Sequence, residues 1–531
     1  MHDLLITGGT VYDGSGAEPI VADVAISNGR IDEIGELASQ LSRERIDASG
    51  KTVAPGFIDV HCHSELALVA EPEAQSKLRQ GVTTEILGNC GWSAYPHHGP
   101  GGRAIRELSS PIFGHPEVDW EWQDLNDYFD VLVRRGTSVN VATLVGHGNV
   151  RAAVMGLDNR EPTASELEAM KAAVQLAMDH GALGISSGLA YPPGVYASTD
   201  ELVALAEVSA RNGGLYATHL RDQVDGLVDS VREALDVGRA AGSQVAISHH
   251  KSVGRRNYGV VQETLAMLDQ ASRDGLAVSS DIYPYLAGSS SMLMLLPPWV
   301  WADDLESVVR RLDDPSQRAR MALDLDTGLP GWENRVKAVG WENVVVSHVG
   351  SLANRYLEGE TVAAASAAAA KAPLAFVCDL LVEERCDVGD LTTNSCESDL
   401  RSVLTHDLTV VGSDGLDVGE RPHPRQYGTF PRILGTYVRD EAVLTMATAI
   451  RKMSGQSADT FGLSGMGYLR PGYQADVTVF DSATVLDRAT YDDPRQYPVG
   501  IDSVVVGGVV SIAGGESTGM HGGRIVRRSR K

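Results

Sequence analysis

Apolar residues recur along this chain in two rhythms, and the change between them marks its organisation. Residues 3 to about 50 alternate short apolar runs with Gly and Asp turns: Leu4-Leu5-Ile6, Thr10-Val11-Tyr12, 21–26 and 30–34. Such alternation predicts a small antiparallel β-unit. The same texture returns in 475–480 and 504–510. Neither piece is large enough to bury a core alone. Both are therefore expected to pack together as one small β-sandwich domain, built from residues 1–54 and 466–531.

Between these pieces, apolar strands alternate with helix-period segments. The strand candidates are 53–60, 83–87, 139–145, 183–186, 215–218, 245–248, 277–283 and 408–412, with helical periodicity over 163–180 and 227–241 among the connections. Eight such units within 55–465 predict an α/β fold, a (β/α)8 TIM-like barrel whose site lies at the C-terminal ends of its strands. The longest break falls between strands 7 and 8. It contains an apolar stretch at 293–301, a further strand at 344–348 and an Ala-rich helix at 361–371. A structureless connection of that length is improbable, so a folded insertion is expected at about 287–350, as a lid over the site.

Composition narrows the function. The 70 acidic against 45 basic side chains give a formal charge of −25, which argues against nucleic acid and other polyanionic partners. No apolar run approaches membrane-spanning length. The N-terminus has no basic region ahead of its apolar run, so no signal peptide is expected. Five cysteines at irregular spacing fit a reducing compartment, so the expected location is cytoplasmic. A homo-oligomer is left open.

The candidate chemistry sits at strand ends. His61 and His63 close the first strand of the central region; at i and i+2 both project to one face, where they can share a metal ion. Cys90, in Gly88-Asn89-Cys90-Gly91, follows the second strand. It is either a small buried residue or a thiolate ligand. His219 ends the fifth strand and His249 the sixth, so both fall on one rim. Asp414, in Ser413-Asp414-Gly415, closes the eighth; it is a turn residue or a carboxylate serving as ligand or general base. Cysteine with histidines suits zinc better than the hard cations. Zinc with an open position activates water, so hydrolysis is the expected reaction.

These residues resemble the amidohydrolase superfamily. More narrowly, Gly88-Asn89-Cys90-Gly91, 186–191, 218–222, 248–251, Asp281-Ile282-Tyr283-Pro284-Tyr285, 413–416, 421–425 and 428–432 resemble the N-acyl-D-amino-acid deacylases, or D-aminoacylases. The resemblance runs from about residue 3 to about 525. It implies one tightly bound zinc at Cys90, His219 and His249, and a weaker or empty second site at His61 and His63 that shares Cys90 and Asp414. It also implies Asp414 as general acid/base, and Lys251, Arg425, Tyr191 and Tyr283 as the grip on the substrate carboxylate. Guanidinium pairs bidentately with carboxylates, which suits Arg425 to that task. The implied substrate is a small N-acyl-D-amino acid, released as a carboxylate and a free D-amino acid.

The apolar stretch 292–299 holds no basic residue and favours a hydrophobic D-side chain, unless it only anchors the insertion. The rival readings are a cyclic-amide hydrolase of the dihydroorotase or hydantoinase kind and a dipeptidase acting on C-terminal D-residues. The former typically carries a metal-bridging lysine on strand four, and 184–188 has none. Alternation lets only one of His249 and His250 face a metal; His249 is the choice. His250 is left to packing or a supporting bond, and His147 is a weaker supporting candidate.

Overall fold

Pro55 and Gly56 split the first long apolar run of the central region. In the computed structural model, which describes residues 1–116 and 118–528, Thr52–Pro55 pairs antiparallel with Val477–Phe480, whereas Phe57–Asp59 pairs parallel with Val82–Leu87. Proline has no N–H to give a ladder and glycine permits a close crossing. A Cβ on Gly56 would lie 2.2 Å from Thr83 Oγ1. The run at 53–60 is therefore two strands in two sheets.

On one side of this crossing stands a nine-stranded sheet drawn from both ends of the chain. Its path runs from Glu516–Ser517 through Val509–Ala513, Ile501–Val506, Val477–Phe480, Thr52–Pro55 and His2–Val11 to Ile20–Ser27 and Arg30–Gly35, with Ser42–Asp47 beside His2–Val11. Leu4, Ile6, Val24 and Ile26 from the front share one buried cluster with Val477, Val479 and Val505 from the back.

On the other side the strands are parallel and follow chain order. Phe57–Asp59, Val82–Leu87 and Asn140–Thr143 form one sheet; Val145–Gly146, Gly184–Gly188, Leu215–His219, Val245–Ile247, Val278–Ile282 and Thr409–Val411 form another. Helices separate most of them, as the βαβ crossover requires. Ala164–Asp179 begins at a capping box made by Thr163 and Glu166, and Leu227–Ala241 buries an apolar stripe that includes Val231, Leu235 and Val237. The outer strands of the two sheets approach each other: Asp414 N donates to His61 O at 2.7 Å, and His63 N to Gly415 O at 3.1 Å. The α/β class expected from the sequence is the class observed.

Between Val278–Ile282 and Thr409–Val411 lies a third, antiparallel sheet in which Val388–Thr393 pairs with Ala287–Ser291 on one side and Val344–Val349 on the other. Its central strand extends this unit to residue 393, beyond the 287–350 expected. At the opposite end of the parallel strands the C-terminal tail runs along Asn140–Thr143: Val141 N donates to Arg524 O at 2.9 Å, and Val526 N to Val141 O at 2.8 Å. Val526 joins Ile58, Ile86, Ala142 and Leu215 from those strands in one buried cluster. Among the described residues, no single helix is long and apolar enough to cross a membrane.

Candidate metal centre

Strand ends and tight turns bring all six expected donors together. Two groups form and share Cys90: His61, His63, Cys90 and Asp414, and Cys90, His219 and His249, with the ligand atoms of each group within 4.8 Å of one another. His61 Nε2 stands 3.1 Å from Cys90 Sγ, and His249 Nε2 stands 3.4 Å from it. Asp414 Oδ1 is 3.4 Å from Nε2 of both His61 and His63. All six side chains are buried.

Local backbone geometry aims them. Cys90, His249 and Asp414 have φ values of +56°, +35° and +49°. L-residues other than Asn and Asp rarely adopt such angles, and persist there only where surroundings enforce them. Glycines supply the enforcement around Cys90: a Cβ on Gly88 would lie 2.0 Å from Leu144 O, and one on Gly91 2.7 Å from Gly188 N.

The donor set fits zinc. Burial opposes ionisation of the Cys90 thiol, but the imidazoles of His61 and His249 outweigh it and hold the group well below its ordinary range, as a thiolate ligand needs. Burial likewise opposes ionisation of Asp414, and the Arg425 guanidinium, with Nη1 2.8 Å from Asp414 Oδ2, outweighs it together with His61. Asp414 is therefore a carboxylate. Supporting bonds fix the imidazoles: Asp281 Oδ2 meets His61 Nδ1 at 3.1 Å, Asp281 Oδ1 accepts from His249 N at 2.8 Å, and Gln223 Nε2 lies 3.2 Å from His249 Nδ1.

The donors open on a cavity of about 50 Å³ lined by His63, Cys90, His219, His249 and Asp414 on one side, with Lys251, Tyr191 and Tyr283 beside them. Lys251 Nζ lies 5.3 Å from the Tyr283 ring centre, whose hydroxyl has no hydrogen-bond partner among the described residues. Arg425 does not line this cavity. It is fully buried between Asp414 and the Tyr283 ring, 4.6 Å from its centre. Tyr191 spends its hydroxyl on Cys90 O at 2.7 Å.

His250 faces away, bonded to Thr264 Oγ1 at 2.9 Å, and burial pushes its pKa down to about 3. His147 also faces away. It opens the helix His147–Met155, and its Nε2 meets Glu201 Oε1 at 2.8 Å while Arg151 holds the other oxygen. The triad braces the Cys90 turn from behind, since Cβ atoms on Gly146 and Gly148 would press on Gly91 O at 2.5 and 2.8 Å.

Sequence reasoning missed Arg335, Asp390 and Thr392, which line the cavity from the insertion. Arg335 Nη2 is 3.3 Å from His219 Nε2, and Glu333 accepts from its Nε. No spacing marks Arg335 within Gly331-Trp332-Glu333-Asn334-Arg335. Asp281 stood in the sequence only within the Asp281-Ile282-Tyr283-Pro284-Tyr285 motif, with no role assigned to it.

The amidohydrolase family matches residues 44–512. The chain is 35% identical to a D-aminoacylase of Alcaligenes xylosoxydans xylosoxydans, over 99% of this chain and 98% of that one. It is 37% identical to an N-acyl-D-glutamate deacylase of the same organism, over 95% and 93%. Its fold matches the crystal structure of N-acyl-D-glutamate deacylase from Bordetella bronchiseptica, complexed with zinc and a phosphonate inhibitor, with a TM-score of 0.85 at 35% identity over 99% of both chains. The chain belongs to the amidohydrolase family, in its N-acyl-D-amino-acid deacylase branch.

Proposed function

We propose that this protein is a zinc-dependent hydrolase that cleaves N-acyl-D-amino acids to a carboxylate and a free D-amino acid. The observation that carries this reading is one small cavity walled by five of the six clustered donors and by the Lys251–Tyr283 pair. A linear amide with a neighbouring carboxylate matches both features. Cys90, His219 and His249 would hold the tight zinc; His61 and His63, with Cys90 and Asp414, would hold a weaker one. The chemistry zinc supplies when bound is Lewis-acid polarisation of water and of the scissile carbonyl.

The chain's own groups do the rest. Asp414, kept ionised by Arg425, takes the proton of the attacking water and returns it to the departing amine nitrogen. Lys251 and the Tyr283 hydroxyl, which has no hydrogen-bond partner among the described residues, grip the substrate carboxylate, and Arg425 strengthens the positive end of the cavity from behind. Ile112, Met294 and Leu416 supply apolar lining, which favours a hydrophobic D-side chain; Glu333 answers the charge of Arg335.

The same reading counts Asn140–Thr143 and Val145–Gly146 as two halves of one strand and closes the two parallel sheets into an eight-stranded barrel at the Asp414–His61 seam; it pairs both chain ends in one sandwich domain and assigns the insertion as the lid that brings Met294, Arg335 and Asp390 over the site. Five free thiols favour a reducing compartment.

The test is amine release from N-acetyl-D-methionine, N-acetyl-L-methionine and N-acetyl-D-glutamate, with zinc-loaded and with chelated protein. Turnover of the D-methionine derivative alone, lost on chelation, is expected. Turnover of the D-glutamate derivative alone would overturn the apolar pocket, and turnover of none would overturn the deacylase reading.

A further inference from the structure

Lys77 is 1% exposed, sits on the short helix Gln75–Leu78, and has no part in the chemistry above. Its ammonium donates to Asp59 Oδ2 and to Ser413 Oγ, both at 2.7 Å. Asp59 Oδ1 accepts from Ser413 N at 2.8 Å and from His61 N at 3.3 Å, and Asp59 Oδ2 accepts from Ser413 Oγ at 2.6 Å. Ser413 Oγ in turn accepts from Gly415 N at 3.0 Å. Both residues that flank Asp414 are thus tied to one buried ion pair, which also holds the backbone of His61.

This arrangement has a definite task available to it. Asp414 stands in the left-handed region, φ +49°, between Ser413 and Gly415. Its N–H reaches across to His61 O. Nothing in an Asp-Gly turn by itself fixes the direction of the carboxylate. Lys77 and Asp59 fix both sides of the turn and register it against the strand that carries His61 and His63. Burial works against the ammonium of Lys77, and the charges of Asp59 and Glu85 outweigh it.

We propose that Lys77, through Asp59 and Ser413, is a positioning residue that holds the Asp414 carboxylate where it can exchange protons with water and the leaving amine. This rests on the reading of Asp414 as the acid/base group. A pair that served only the fold would lower the melting temperature and leave kcat alone. A positioning pair sets kcat in protein that is still folded and loaded with zinc.

The experiment compares zinc-loaded full-length wild type, Lys77→Met, Lys77→Arg and the paired variant Asp59→Asn/Lys77→Met on N-acetyl-D-methionine, with zinc content measured for each and Asp414→Asn as reference. Lys77→Met is expected to lower kcat roughly tenfold to a hundredfold, the cost of a small misplacement at the chemistry, with KM and zinc content little changed. Lys77→Arg should restore part of the rate. The paired variant removes both members of the Lys77–Asp59 pair together, while Glu85 keeps its bond from Ser64 Oγ, so it keeps the fold testable if Lys77→Met alone does not fold; it should show the same kcat loss. A folded Lys77→Met or paired variant with kcat within about twofold of wild type, or a loss that lies wholly in KM or in zinc content, overturns the proposal. If Asp414→Asn keeps the wild-type rate, the acid/base reading is what has failed, and the proposal falls with it.

Discussion

Replacing Glu201 by Gln removes the carboxylate that His147 and Arg151 share behind the Cys90 turn. Burial pushes this carboxyl up, yet the two partners outweigh burial and hold it at about 2, against an ordinary 4.5. A difference of about 2.5 pH units at about 1.36 kcal/mol each is worth ~3.4 kcal/mol of folding free energy. Because the folded-state value is the depressed one, this stabilisation is complete above pH 4.5 and is lost as the pH falls toward 2. By pH 3 about 1.4 kcal/mol remains. A chain of 531 residues unfolds with an entropy near ~1.1 kcal/mol/K, so the Gln variant should melt about 3 °C below wild type at pH 7 and about 1 °C below it at pH 3. Scanning calorimetry of the metal-free proteins at pH 7, 5 and 3 reads this directly, since zinc release then adds no pH dependence of its own. Equal melting temperatures at pH 7, or a gap that does not narrow below pH 4.5, would show that the triad carries no such stabilisation.

Two further outcomes follow from the site and the tail. Cys90→Ser removes the donor common to both groups, so the purified variant should contain less than about a tenth of the wild-type zinc by elemental analysis and show a matching loss of deacylation, while its far-ultraviolet circular dichroism stays unchanged. Ending the chain after Met520 strips Val526 from the buried cluster it shares with Ile58, Ile86 and Leu215 and two hydrogen bonds from Val141, so the truncated protein should melt at least about 2 °C lower. An unchanged transition would mean that the tail only lies on the surface.

Much of this architecture could be read from the sequence, for reasons that particular residues make plain. His219 and His249 each stand two residues beyond a buried apolar run, Leu215-Tyr216-Ala217 and Val245-Ala246-Ile247, in a parallel strand whose two faces are covered. A histidine, cysteine or aspartate at the end of such a strand is conspicuous, which is how six donors on five separate segments could be picked out before any distance was known. Leu227–Ala241 could be read to the residue because its stripe is clean and Gly242, at φ +63°, stops it. The division at Gly56 was hidden, because Thr52–Pro55 and Phe57–Asp59 are equally apolar and only pairing separates them. Val388–Thr393 was hidden for the opposite reason: Val388-Gly389-Asp390-Leu391-Thr392-Thr393 is mostly polar or small, and its burial comes from partners far away in the chain. Arg335 and Arg425 show a third limit. Their roles depend on which carboxylate each one meets, Glu333 or Asp414, and sequence spacing says nothing about that.

The left-handed backbone at Cys90, His249 and Asp414 bears on how this protein would respond to engineering. At Cys90 and His249 this costs of order 1–3 kcal/mol each, less at Asp414 because aspartate tolerates the left-handed region, and glycine at the same places would relieve most of it. Selection for thermal tolerance alone would therefore find improvement at the very positions proposed to hold metal and move protons. A useful stabilisation campaign would have to freeze these three sites and draw its gains from the distant sheet formed by the two ends of the chain.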